Sequence, residues 1–315
     1  MLQIGIVIPV YNGERYLVET LESVLAQTFV AWELVIVDDG STDSSGAIAA
    51  AFAARDSRIS IVHMPNGGVA AARNAGLSYL QAGCDFISFL DQDDVWYPNT
   101  LDTLRRALLD DPAAAGAHGM NRLIDSEGRP AKPRGFDHLF CRPRMGFSGS
   151  RLIRWPADAP TTFSVVAFWS PVATPGQVLL RRAALMAAGE FDPTLSGADD
   201  WDMWFRLTQN GYLVYLDWAV IDYRRHTANI SARSERMAAV TDAMLRKRAS
   251  APDLTPEQRR LLRQGTQWRF RVVAELRWHW AMEHWTEGRY WLAAKEVRHT
   301  LKAFARFYAG FLRRQ

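Results

Sequence analysis

Four times in its first 110 residues the chain passes from a short apolar run to a polar turn and then to a segment of helical periodicity. Ile4 to Val10 is apolar and β-branched and closes on the turn Asn12-Gly13. Glu33 to Val37 is stopped by Asp38-Asp39-Gly40-Ser41-Thr42-Asp43, Ile59 to His63 follows, and Asp85 to Leu90 ends in Asp91-Gln92-Asp93-Asp94. Between the runs, Leu17 to Ala26 has Leu17, Leu21, Val24 and Leu25 at helical spacing, and helices are expected over 44–54, 69–82 and 99–109. Runs of strand length alternating with helices form right-handed βαβ units and a mostly parallel sheet covered on both faces. Such sheets bind ligands beyond the carboxyl ends of their strands. Tyr11-Asn12, Asp38-Asp39 and Asp91 to Asp94 all fall at those ends, so one crevice should hold them.

Beyond this repeat the pattern changes. Residues 113–225 are less regular, and 129–176, rich in Pro, Gly, Arg and aromatics, reads as long loops. After Gly189 come a turn, the acids Asp199-Asp200-Trp201-Asp202 and a helix; past Arg233 the chain reads as helical, broken near Gly288. A formal net charge of +3 does not call for a nucleic-acid partner, and none is expected. The charge is uneven: 13 Lys/Arg against 5 Asp/Glu from Pro256 to Gln315 give +8, leaving −5 for the rest. Two cysteines without metal-type spacing, Cys84 and Cys141, point to a reducing compartment. The N-terminus reads as a strand and not as a signal peptide, and no apolar run is long enough for a transmembrane helix.

Three acids within four positions repel one another at a strand end unless they face water or a cation holds them. Mg²⁺ and Mn²⁺ prefer carboxylate and phosphate oxygens. Neither GxGxxG nor GxxxxGK[ST] occurs, which argues against a dinucleotide dehydrogenase and a P-loop enzyme. A metal at Asp91, Asp93 and Asp94 would answer how a phosphate is held. Taken alone, Tyr11 reads as a rim tyrosine, and Asp38-Asp39 and Asp199-Asp200 read as helix and turn caps.

In order along the chain, VIPVYN at 7–12, VDDGSTDSS at 37–45, NGGVAAARNAGL at 66–77, DQDD at 91–94, GADDWDMWFRL at 197–207 and YRRHTANIS at 223–231 resemble the family 2 glycosyltransferases. The resemblance covers roughly residues 1–232. It implies a Rossmann-like GT-A fold, α/β with a mostly parallel sheet, and an inverting sugar transfer from a nucleotide-diphosphate donor, assisted by a divalent metal, Mn or Mg. Pro9, Tyr11 and Glu14 match positions bordering the nucleotide; Asp38 and Asp39 match the base contact; Arg73 and Asp91 fall in segments that approach the sugar nucleotide. Asp93 and Asp94 match the metal site, which His226 can complete. Asp200 matches the catalytic base. The position before it is usually Glu and is Asp199 here, so the division of roles between Asp199 and Asp200 stays open.

The expected organisation is a catalytic domain over 1–232, with a nucleotide-sugar half (1–112) and an acceptor half (113–232), followed by a helical, basic, Trp-rich extension over 233–315. There Trp268, Trp278, Trp280, Trp285 and Trp291 lie among Arg269, Arg271, Arg277 and Arg289. They suit either an anionic membrane surface or packing on the catalytic domain. A carbohydrate or lipid-linked acceptor in surface polysaccharide or glycolipid assembly follows, with Arg142, Arg144, Arg151 and Arg154 as its candidate contacts. The expected location is the cytoplasm, with peripheral contact at the inner face of the membrane. Two other classes compete. A sugar-nucleotide nucleotidyltransferase would carry a Gly-rich basic loop after the first strand, where Tyr11-Asn12-Gly13-Glu14 stands. A non-catalytic nucleotide-sugar-binding protein would not need Asp199-Asp200.

Overall fold

A computed structural model describes residues 3–133, 144–149, 151–229 and 234–312. Cys141 and Arg142, the end of the 223–231 segment and the expected boundary at 232 lie outside them. The expected βαβ run is present: β1 (Gln3–Val10), α1 (Leu17–Leu25), β2 (Trp32–Asp38), α2 (Ser45–Arg55), β3 (Ile59–His63), α3 (Val69–Tyr79), β4 (Cys84–Phe89), β5 (Val95–Trp96) and α4 (Thr100–Asp110). Then come β6 (Gly116–Ile124), β7 (Met145–Ser148), β8 (Arg151–Arg154), α5 (Phe163–Val166), β9 (Val178–Arg181), α6 (Arg182–Ala188), α7 (Asp199–Gln209), β10 (Leu213–Arg224), α8 (Ser234–Ala249), α9 (Pro256–Thr286) and α10 (Tyr290–Leu312).

The chain divides into two compact units. The first holds Met1–Lys132, Pro156–Thr162 and Val172–Arg248, and its eight-stranded sheet runs β3-β2-β1-β4-β9-β6-β10-β5. β1 pairs in parallel with β2 and β4, β2 with β3, and β6 with β10. β9 joins the two parallel blocks, antiparallel to both β4 and β6. Alternation of side chains along β1 sends Ile4, Ile6, Ile8 and Val10 into a core shared with Leu17, Leu21, Val24, Leu34, Ile36 and Phe86. Each such aliphatic side chain contributes roughly 1.5–3 kcal/mol by leaving water. On the other face α3 lies so close to β1 that a Cβ on Gly76 would stand 2.3 Å from Val7. That close seat fixes the rotation of α3, and with it the direction of Arg73.

The stretch 129–176, expected as loops, contains a two-stranded hairpin, β7–β8, and the short helix α5. Four-residue strands such as MGFS and RLIR are too short to show a period. Both belong to the second unit, Pro133–Trp155, Phe163–Pro171 and Ala249–Gln315. In that unit α9 and α10 form a helical hairpin that turns at Gly288 (φ 74°) and is tied by Arg277 to Glu296 at 2.9 Å. α8 groups with the first unit, where Lys247 pairs with Asp192 and Arg248 Nε meets Asp202 at 2.8 Å. Among the described residues no helix is long and apolar enough to cross a membrane.

Candidate active site

The ends of β1, β2 and β4 and the starts of α3 and α7 build one site in the first unit. After β1 the chain turns through Asn12, whose φ of 49° is left-handed. Its side-chain oxygen accepts from the Thr42 N–H at 2.8 Å, joining the β1 and β2 loops. Tyr11 stands 48% exposed at the mouth, its ring open to a planar ligand. Gln92, which the sequence reading passed over, grips the Tyr11 backbone from both sides: the Tyr11 N–H donates to its Oε1 at 2.8 Å, and its Nε2 donates to the Tyr11 carbonyl at 3.1 Å. Gly13 makes the approach possible, since a Cβ there would stand 2.4 Å from Gln92.

The β2 acids are both buried. Burial would raise the Asp38 carboxyl, but the Ser41 N–H and the nearby His63 ring hold it below its ordinary range. Asp39 accepts from the Gly67 and Gly68 N–H groups at 2.7 and 2.8 Å and so sets the turn into α3. Glu14 accepts the Ser44 N–H at 2.9 Å, and Pro9 lies within β1.

The three strand-end acids have three different sets of partners. Asp91 receives Arg73 Nη2 at 2.7 Å. Asp93 Oδ2 lies 2.8 Å from His226 Nε2 and accepts from Asn229 Nδ2 at 3.1 Å. Asp94 is fully buried, and its two oxygens accept from Thr174 Oγ1 at 2.6 Å and the Arg224 N–H at 3.0 Å. Burial, with Asp93 and Asp91 adding negative charge, pushes the Asp94 carboxyl well above its usual range. Arg224 itself is 1% exposed; it donates to the Asp93 carbonyl and to Glu19, and lies over the Tyr16 ring.

A divalent cation fits part of this set. The Asp93 carboxylate and the His226 imidazole are mostly buried neighbours of suitable donor chemistry, in a region with excess negative charge. Asp94 already has both oxygens engaged inside the fold. Among the described residues no three His, Cys, Asp or Glu side chains group as a complete ligand set.

The second acid cluster opens α7. Asp199 is 1% exposed and filled: Arg73 Nη1 donates to Oδ2 at 2.6 Å and the Gly197 N–H to Oδ1 at 3.0 Å. Asp202 is met by Arg206 Nε at 2.9 Å and Arg248 Nε at 2.8 Å. Asp200 is half-buried and accepts only from the N–H of Trp201, at 2.7 Å, among the described residues. Burial and the adjacent Asp199 push its carboxyl up to about 7, with Arg73 pulling the other way. Arg73, on α3, therefore spans the two clusters. Beside it, Asn74 exchanges hydrogen bonds with the Phe191 backbone at 2.8 Å in both directions, holding the segment that leads to Asp199.

The structure thus gathers Tyr11, Asp39, Arg73, Asp91, Asp93, Asp199, Asp200 and His226, with Gln92, Thr174, Arg224 and Asn229 supporting them. Thr174 carries no sequence signal, because it acts from an irregular loop, whereas Asn229 lies within the segment 223–231 already singled out in the sequence. Gln92 had one, as the residue inside D-x-D.

The sequence model of the family described as "Glycosyl transferase family 2" matches residues 5–187, more than half of the chain. A glycosyltransferase of Streptococcus pneumoniae, GlyG, is 43% identical over 102 residues, which are 32% of this chain and 33% of GlyG. The chain thus spans about a third of that relative's length. Among solved structures, Staphylococcus aureus TarS 1-349 in complex with UDP-GlcNAc aligns with a TM-score of 0.59 at 17% identity, over 98% of this chain and 92% of that one. The mannosyltransferase PcManGT of Pyrobaculum calidifontis, in complex with GDP-Man and Mn²⁺, aligns with a TM-score of 0.62 at 18% identity, over 98% and 75%. At these identities the likeness is one of fold.

Proposed function

Since the chain belongs to glycosyl transferase family 2, we propose that it is an inverting glycosyltransferase using a nucleoside-diphosphate sugar, with Asp200 as general base. The observation that carries this reading is the Arg73 fork. One guanidinium reaches Asp91 of the strand-end cluster and Asp199 of the helix-start cluster, so donor-side acids and a proton acceptor share one site. The acceptor oxygen attacks the anomeric carbon while its proton passes to Asp200. The bond from that carbon to the diphosphate oxygen breaks, its electron pair leaves with the diphosphate, and the carbon inverts. A carboxyl raised to about 7 suits a base working near neutral pH.

Tyr11 would stack on the base. Asp39 would accept from a base N–H, since a carboxylate offers about four lone-pair sites and two are taken. Pro9, Glu14 and Asp38 shape that pocket. Asp93 and His226 would hold the cation, whose role is to offset charge on the departing diphosphate. Two protein ligands are enough, because such cations are commonly completed by phosphate oxygens and water. Asp94 we assign to fastening the loop.

We assign the acceptor to the lipid-linked class, reached by docking of the α9–α10 hairpin on an anionic membrane surface. An apolar groove of about 550 Å³ is lined by Met282, Trp285, Val297 and Leu301, with Arg298 and Lys302 on its walls. Trp285 and Leu301 are exposed, and rings beside cationic side chains match anionic headgroups. Arg151 and Arg154 on β8, both exposed, remain candidates for the acceptor's negative charge.

Thermal unfolding with UDP, GDP, CDP and dTDP, each with Mn²⁺, Mg²⁺ or EDTA, tests the donor. One nucleotide should stabilise the protein, less so in EDTA; no shift with any of them counts against the reading. Co-sedimentation with phosphatidylglycerol vesicles tests the docking. Binding should exceed that to phosphatidylcholine and fall on Arg298→Glu/Lys302→Glu; equal binding to both refutes it.

A further inference from the structure

Arg73 lies in a segment expected to approach the donor, yet both ends of its fork are engaged by protein. Nη1 holds Asp199 at 2.6 Å and Nη2 holds Asp91 at 2.7 Å; the residue is 4% exposed, and its Nε is buried without a hydrogen-bond partner among the described residues. We propose that Arg73 is a positioning residue: its buried fork keeps Asp199 as a fixed counter-ion and so leaves Asp200 as the acid that takes the acceptor proton. The catalytic consequence rests on the transferase reading above; the division of roles between the two acids does not.

Three observations carry it. Asp199 faces inward: it is 1% exposed, and Arg73 and the Gly197 N–H each engage one of its oxygens. Asp200 is the more exposed of the two and has a single N–H partner among the described residues. The Asn74–Phe191 exchange anchors the approach to α7 on the same turn of α3, so the clamp has a rigid base. One guanidinium among Asp91, Asp199 and Asp200 also explains the charge balance. Burial alone would weaken the arginine's charge, and the three carboxylates together hold it more firmly than in water. A lysine cannot repeat this arrangement, because a point charge lacks the two-pronged geometry.

The test is carboxyl NMR of the full chain labelled at aspartate Cγ, titrated in the wild type and in Arg73→Gln, Arg73→Lys, Asp199→Asn and Asp200→Asn. One signal should titrate near 7 and vanish in Asp200→Asn. It should move up by roughly a unit in Arg73→Gln, where a neighbouring cation is lost, and down in Asp199→Asn, where a neighbouring anion is lost. Loss of the signal in Asp199→Asn, or no movement in Arg73→Gln, overturns the proposal. If Arg73→Gln does not fold, the Asp199→Asn titration decides. In turnover, Arg73→Lys should lower kcat by about tenfold or more with the donor KM within about twofold. A raised donor KM at unchanged kcat would make Arg73 a nucleotide ligand and overturn the assignment. Failure of the wild type to bind any nucleoside diphosphate would sink the transferase reading alone, since the titration needs no substrate.

Discussion

The acids at the end of β4 and those at the start of α7 solve the same problem differently. At the strand end, like charges are separated by giving each its own partner: a guanidinium for Asp91, an imidazole for Asp93, a hydroxyl and an N–H for Asp94. At the helix start, the partners are concentrated on the flanks. Asp199 has Arg73 and Asp202 has Arg206 and Arg248, while Asp200 between them has no direct cation among the described residues. The first arrangement fastens the loop after β4; the second fits the proton-accepting role proposed for Asp200. Acid clusters that look equivalent in sequence are told apart by where the countercharges fall.

The sharpest way to break that contrast is Asp200→Asn. Transfer should drop by roughly 10²–10⁴-fold with nucleotide binding retained. In the wild type the rate should fall as pH drops below about 7, because the base is then protonated. Stability should change in the opposite sense. Between about 4 and 7 the folded protein keeps a proton that the unfolded chain has released, so Asp200 lowers stability as pH rises through that window. Asp200→Asn should therefore gain in melting temperature on the wild type from pH 4 to 7 and hold the gain above it; a constant difference would refute the assignment.

Asp202→Asn, two residues on, should act on folding instead. Leaving the partly buried Arg206 and Arg248 beside a buried neutral amide is expected to cost about 3 kcal/mol in denaturant unfolding. Asp93→Ala should remove the metal-dependent part of nucleotide stabilisation, which is roughly 2.7 kcal/mol at a hundred times Kd. Thr174→Val should cost about 1–3 kcal/mol by orphaning an Asp94 oxygen, without altering which nucleotide is chosen. Smallest of all, Arg15→Gln, breaking an exposed pair with Glu127, should change stability by no more than about 0.5 kcal/mol.

The parallel half of the sheet was legible because its strands and helices are long enough to show their periods, and because ligand sites follow from strand ends. β9 was not. Its four residues sit among Pro- and Gly-containing loops, and only tertiary pairing with β4 and β6 makes them a strand. The site residues were legible as types, their roles less so. Asp91, Asp93 and Asp94 differ by one or two positions, yet the direction of each carboxylate depends on Arg73, His226 and Thr174, which lie 18 to 133 residues away. For Arg73 the sequence shows a cation in a donor-side segment and not the two carboxylates that it faces.

Gln92 links two places that sequence alone keeps apart. By holding the Tyr11 backbone from both sides, it makes the aromatic platform and the carboxylate loop a single rigid piece. Such a piece works as a caliper. Its two jaws are joined through the Gln92 hydrogen bonds, so a displacement of one carries the other with it.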